Sequence, residues 1–235
     1  MSRVSHSLLD PYVTTPLKKH YSLLPIPKSF PPEGLIAVGH LMALLGGVGF
    51  AYSTTTWWGG LLAAVGVWGN HFADIFDGTH ARATGQCRHG GELLDHFTDP
   101  LSFTYWIVGM SVAIDRIELG LIGVIVLYAT ALLTSIKAKI TGKFELATFG
   151  PTEFKMMLVA WGISHSVMQY FYVDLLPTIA IVGYSVLLIV GVIQLLSGLV
   201  LGVREVNACS VQVDQEEWVV TRESNEGVTN ESSRE

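Results

Sequence analysis

Residues 74–99 read DIFDGTHARATGQCRHGGELLDHFTD, and this stretch decides the fold. It holds four aspartates, Asp74, Asp77, Asp95 and Asp99, in a chain that is 50% hydrophobic and only 14% charged. Asp74 and Asp77 stand three residues apart, while Gly91, Asp95 and Asp99 repeat every four, so each set shares one helix face. Two helices that each offer two carboxylates at one depth predict the walls of a metal site. The surrounding chain has to explain why such a site lies between long apolar segments.

Soluble domains average about 25% charged residues, so this composition belongs to the membrane class. The net charge of -6 misleads as a global property. Residues 204–235 carry eight acidic residues against three arginines, a balance of -5, which leaves the rest nearly neutral. No basic block suggests nucleic acid. Cys87 and Cys209 give no disulfide framework. The first residues lack a continuous apolar run of signal-peptide type, so the later apolar segments are expected to direct insertion.

A spanning helix needs about 20 predominantly apolar residues. Six stretches qualify: 35–52, a second from 57 through 69 into the aspartates, then 91–114, 119–138, 154–173 and 176–203. The expected fold is all-α, an integral membrane bundle of six transmembrane helices with an N-terminal interfacial helix. Residues 1–33 form the interfacial segment, with Leu8, Leu9, Tyr12 and Val13 beside Lys18, Lys19 and His20, suited to an anionic membrane face. Asp10 is the expected cap of its helix, Pro11 the opening residue and Pro16 a kink. Residues 34–203 form the bundle, and 204–235 an acidic, disordered cytoplasmic tail.

Lys18, Lys19 and Lys28 precede the first helix, and Arg82 and Arg88 lie between the second and third. Lys137, Lys139, Lys143 and Lys155 are expected between the fourth and fifth, and Arg204 after the sixth, whereas Arg116 is the one basic residue of the opposite loops. The positive-inside rule then puts both termini and the aspartates in the cytoplasm. Trp57, Trp58, Trp106, Tyr170 and Tyr172 fall near predicted helix ends as an aromatic belt. Gly46, Gly47, Gly49, Gly59, Gly60, Gly66 and Gly69 allow close helix contact.

An intramembrane aspartate costs on the order of 3 kcal/mol on insertion scales, so four need compensation from water at the helix ends and from bound cations. Carboxylates without a zinc-type cysteine or histidine set favour hard cations such as Mg2+ or Mn2+. Gly78, one turn before Arg82, leaves a groove in which Arg82 offers a bidentate donor to phosphate. A carboxylate-held divalent metal beside that arginine suits a diphosphate substrate. Two other classes compete. An ion- or proton-coupled transporter would use intramembrane aspartates, but no inverted pair of broken helices is visible. An intramembrane aspartyl protease needs two aspartates sharing a proton, and four with an arginine fit that poorly.

The pattern Asp74-x2-Asp77-Gly78-x2-Ala81-Arg82-x8-Gly91-x3-Asp95-x3-Asp99 resembles, without departure, the signature of the CDP-alcohol phosphotransferases, also called CDP-alcohol phosphatidyltransferases. The resemblance implies a six-helix membrane enzyme, commonly a homodimer. Such an enzyme transfers a phosphoalcohol or phosphatidyl group from a CDP-linked donor to an alcohol with two divalent metal ions, releasing CMP, in phospholipid biosynthesis. It implies Asp74, Asp77, Asp95 and Asp99 as metal ligands, Gly78, Ala81 and Arg82 as contacts of the CDP diphosphate, and Asp99 as the base. The N-terminal SLLDPYVTTPLKKHYSLLP, the segment GELLDHFTD and GPTE at 150–153 are similar to the choline/ethanolamine phosphotransferase branch, which implies His96 as the base instead. The chain departs from that branch at Glu33, where asparagine is usual, and in being shorter. Donor and acceptor alcohols stay open. His40, His71 and His165 read as packing residues, His80 and His89 line the loop within reach of substrate, and Glu92 is a candidate to orient a water or a metal ligand.

Overall fold

The computed structural model describes residues 2–146 and 149–209. After a strand β1 (Ser2–Ser5) and a short helix α1 (Thr14–Lys19), six long helices follow: α2 (Pro32–Ala51), α3 (Trp57–Thr84), α4 (His89–Ala113), α5 (Ile117–Thr141), α6 (Pro151–Phe171) and α7 (Leu176–Ala208). Their boundaries follow local chemistry. Pro32, Pro151 and Pro177 sit in first turns, where the missing N–H has no intrahelical partner to lose. Gly85 and Gly142 end α3 and α5 with φ of 72° and 70°, a left-handed conformation that glycine enters without a Cβ penalty.

The aspartate-bearing helix is continuous: α3 runs from Trp57 past Arg82 without a break. Helix α4 likewise contains both Asp95 and Asp99, and passes through Pro100. Proline there removes the N–H that would otherwise bond the carbonyl of His96, freeing a backbone acceptor one turn before Pro100.

Helix α2 packs on α3 and α4, α3 on α6, α4 on α5, and α5 on α7. The expected glycine contacts are present. A methyl group at Gly66 would meet the backbone of Gly46, one at Gly49 the backbone of Ala63, one at Gly60 the backbone of Gly162, and one at Gly109 the carbonyl of Gly47. With backbones this close, dispersion between helices replaces the hydrophobic effect that lipid cannot supply. Phe50, Val67, Phe103, Trp106, Met110 and Leu158 form the core between these helices. Trp106 is therefore no belt residue: it is fully buried and donates its indole N–H to the Ala43 carbonyl at 3.0 Å. Trp57, Trp58, Tyr170 and Tyr172 are exposed.

Three helices, α2, α5 and α7, are long and apolar enough to cross a membrane, and with their apolar faces uncovered the chain is an integral membrane protein. Leu121, Ile125 and Leu132 of α5 and Val182, Ile189 and Ile193 of α7 point outward. The other long helices, α3, α4 and α6, carry the polar residues of the site.

Three expectations need correction. Among the described residues the all-α bundle carries one parallel strand pair, β1 with β2 (Lys143–Leu146), in which Ser2 pairs with Lys143 and Ser5 with Leu146. Gly142 ends α5 and turns the chain into this extended segment, and four residues are too few for alternation to announce a strand. The expected interfacial helix shrinks to α1, which starts at Thr14 rather than Pro11. Pro16 does not kink it because it lies in the first turn, and Asp10 turns its carboxylate to the Thr14 and Thr152 hydroxyls, at 2.9 and 2.7 Å. Finally, α7 continues past Val203 to Ala208, and the acidic tail beyond residue 209 lies outside the described residues.

Candidate active site

One end of the bundle gathers the carboxylates. Oxygens of Asp74 on α3 and of Asp95 and Asp99 on α4 all lie within 4.8 Å of one another. The side chains of Asp74 and Asp99 keep 30% and 33% of their surface exposed, so the trio opens on one flank. Three hard oxygen donors converging this closely fit the donor set of Mg2+ or Mn2+. Asp77 is brought to the same region of α3 but not into the trio. It is buried, and its Oδ1 accepts the N–H of its own neighbour Gly78.

The other flank is closed by a cation that sequence reasoning placed in a loop. Lys155 lies inside α6, fully buried, with Nζ 2.7 Å from Asp74 Oδ2 and 3.8 Å from Asp99 Oδ1. The same ammonium stands 5.6 Å from the centroid of the Phe103 ring. A buried lysine is stable only when paired, and here its partners are the candidate ligands. The one sequence signal was a lysine set among apolar residues just after GPTE.

That GPTE segment holds the N-terminal region. Glu153 Oε1 accepts the Ser7 hydroxyl at 2.6 Å and the Leu9 N–H at 3.0 Å, while Oε2 accepts the Gly150 N–H at 2.9 Å. Thr152 donates to Asp10, whose own N–H bonds Ser7 Oγ at 3.0 Å. The two stretches that resembled the same family branch are therefore one clasp, joined just ahead of the apolar run of α6 and two residues before Lys155. Burial alone would raise the Glu153 carboxyl, but the donors from Ser7, Leu9 and Gly150 hold it below its ordinary value of 4.5.

The remaining candidates separate. Arg82 folds its guanidinium over Gly78, where a Cβ would stand 3.2 Å from Nη1, so the arginine itself fills the expected groove. Ala81 gives its carbonyl to the N–H groups of Gly85 and Gln86, closing α3. His96 is exposed, with its ring 5.4 Å from that of Phe144 on β2. Glu33 on α2 lies 3.7 Å from Arg88, the residue just before α4. Glu92 and His89 are exposed on the first turn of α4. His80 is buried and structural, with Nδ1 2.6 Å from the Tyr21 hydroxyl and Nε2 2.8 Å from the Phe30 carbonyl. With Gln86 donating to the Lys28 carbonyl at 2.9 Å, it straps the N-terminal segment beside the site. His40 bonds Tyr105 and His165 bonds Ser53, at 3.0 Å each, and His71 is buried in α3.

Comparison with known proteins shows which family the chain belongs to. Residues 35–203 match the family model described as CDP-alcohol phosphatidyltransferase. The chain is 32% identical over 116 residues to cholinephosphotransferase 1 of Bos taurus, a match covering 46% of this chain and 28% of the relative. It is 40% identical over 58 residues to the proteins of the same name from Rattus norvegicus and Mus musculus, covering 25% of this chain and 15% of each. The matched part is thus less than a third of the length of these curated relatives.

Proposed function

The chain belongs to the CDP-alcohol phosphatidyltransferase family, and on that premise we propose that it transfers a phosphoalcohol or phosphatidyl group from a CDP-linked donor to an alcohol, releasing CMP. The acceptor oxygen attacks the phosphorus distal to cytidine, the P–O–P bond breaks, and CMP leaves as a phosphate monoester. The observation that carries this reading is the convergence of Asp74, Asp95 and Asp99 within 4.8 Å. Together with Asp77, these residues are the proposed ligands of Mg2+ or Mn2+. When bound, the cation would place positive charge on the diphosphate and on the departing phosphate.

Arg82 is poised over Gly78 to leave its own helix face and pair bidentately with the donor diphosphate. Asp99 is the proposed base, because it belongs to the trio while the His96 ring faces β2. Asp99→Asn is expected to lose more turnover than His96→Ala, and the reverse order would assign the base to His96.

The topology is part of the proposal. Helices α3, α4 and α6 have 28, 25 and 21 residues, enough at 1.5 Å per residue to cross about 30 Å of hydrocarbon, which gives six spans with α2, α5 and α7. The site and both termini then face the cytoplasm, α1 lies at that interface, and the family resemblance supports a homodimer. Cys87 is exposed in the α3–α4 connection, so a membrane-impermeant maleimide should label it from the cytoplasmic side alone.

The deciding experiment incubates the purified chain with a panel of CDP-linked donors and alcohols, CDP-choline and diacylglycerol included because of the relatives' names. CMP release is expected only with Mg2+ or Mn2+ and is expected to vanish in Asp95→Asn. A folded, metal-binding chain that releases no CMP from any donor would overturn the reading.

A further inference from the structure

The opposite end of the bundle holds a separate set of buried polar side chains. Ser53 precedes the start of α3, whose other end carries Asp74 and Asp77. It is buried, as is His165 on α6, and Ser53 Oγ stands 3.0 Å from His165 Nδ1. Trp161 lies one turn before His165, with its ring centroid 5.5 Å from that of the imidazole. The Trp161 indole N–H is buried and meets no acceptor among the described residues. Trp106 shows the ordinary solution, donating to the Ala43 carbonyl at 3.0 Å. Nor can the Trp161 ring swing toward α7, where a methyl group at Gly183 would already meet it. A buried N–H left unpaired is costly, and hydrocarbon offers it nothing in return.

Beside these residues lies a small cavity between α4, α6 and α7. Ser53, Trp161, His165 and Tyr184 line it together with Met110 and Ala113 of α4, and it leaves about 10 Å3 for the centre of a water molecule. Two hydrogen-bonded oxygens stand about 2.8 Å apart, nearly the full width of such a space, so it takes one molecule. A cavity walled by hydrocarbon alone stays dry, whereas one offering roughly two to four polar partners keeps its water. Tyr184 turns its hydroxyl to the Leu119 carbonyl on α5 at 3.4 Å, which leaves Trp161 and Ser53 as the partners.

We propose that this cavity is the binding site of one structural water, which accepts the Trp161 N–H and donates to Ser53 Oγ. A serine hydroxyl carries one proton and two lone pairs, so Ser53 serves His165 and the water together. The water joins α6 to the turn between α2 and α3. Ser166 makes the direct link between the same two regions, donating to the Trp57 carbonyl at 2.6 Å, and the water completes it on the side of α7.

A crystal or electron cryo-microscopy map of the full chain, at a resolution that shows ordered solvent, tests this directly. One solvent peak within hydrogen-bond reach of both Trp161 Nε1 and Ser53 Oγ is expected. An empty cavity, or a protein acceptor on the Trp161 N–H, would overturn the inference. Nuclear magnetic resonance on the chain with isotope-labelled tryptophan, in detergent, gives an independent reading. The Trp161 indole signal, identified by its loss in Trp161→Phe, should show water cross-peaks of opposite sign in NOE and ROE spectra, the mark of a molecule held in place. Missing cross-peaks, or cross-peaks of equal sign as passing solvent gives, would overturn it as well. Should Trp161→Phe fail to fold, the wild-type map decides alone.

Discussion

Helices α3 and α5 are both long, and both end on a glycine cap, yet they are built for opposite surroundings. Along α3, Gly59, Gly60 and Gly66 sit so close to neighbouring backbone that none has room for a methyl group, and thirteen of its residues are buried. Helix α5 fully buries only Gly120, Gly123 and Ala138 among its described residues and leaves a broad apolar face exposed, and its partner α7 buries Leu176, Ala180, Tyr184 and Gly202. The difference teaches where geometry matters. Helices that aim carboxylates are locked backbone to backbone against α2 and α6, while α5 and α7 need only a generic apolar surface.

The largest effect should come from the locked half. Asp95→Asn is expected to reduce CMP release below detection, as should chelation of divalent cations, both read by nucleotide release. Next, Gly60→Ala should drive a methyl into the Gly162 backbone and cost about 1–3 kcal/mol through overpacking, whereas Gly198→Ala meets Leu133 Cδ2 at an ordinary 3.7 Å and should leave the melting temperature in detergent unchanged or raised. Equal losses at both positions would erase the distinction between the halves.

The clasp gives a smaller and pH-dependent effect. Because the Glu153 carboxyl is held below its ordinary value, its contribution is fully present above pH 4.5 and is lost as pH falls through the lower folded value. Glu153→Gln should therefore lower stability at neutral pH and flatten the acid limb of the melting-temperature profile. Last, Lys137→Met breaks the pair with Glu205 that ties α5 to α7, and a half-exposed pair of this kind should change stability by less than about 1 kcal/mol.

The locked half was also the half whose chemistry could be read in advance. Helical spacing alone put Asp74 with Asp77 on one face and Asp95 with Asp99 on another, of which Asp74, Asp95 and Asp99 converge, and the glycine runs marked the close contacts. What spacing could not reveal were partners distant in the chain. Lys155 meets Asp74 across 81 residues, and Ser7 meets Glu153 across 146. A charge counted toward topology turned out to be a buried counter-ion, because a positive-inside tally records where lysines fall in sequence and not which carboxylates they face. Trp106 misled similarly: an aromatic residue near an expected helix end is belt or core depending on whether another helix, here α2, covers it.

The distance spanned by the clasp has a consequence for biogenesis. Ser7, Leu9 and Asp10 are synthesised before the long helices, but their partners Thr152 and Glu153 emerge only after four of those helices have been made. Until then this segment has no seat, and its contact with α6 is one of the longest loops the chain must close. Its docking therefore reports that α6 has been inserted and brought against the earlier helices, making a segment synthesised before them one of the last to assemble.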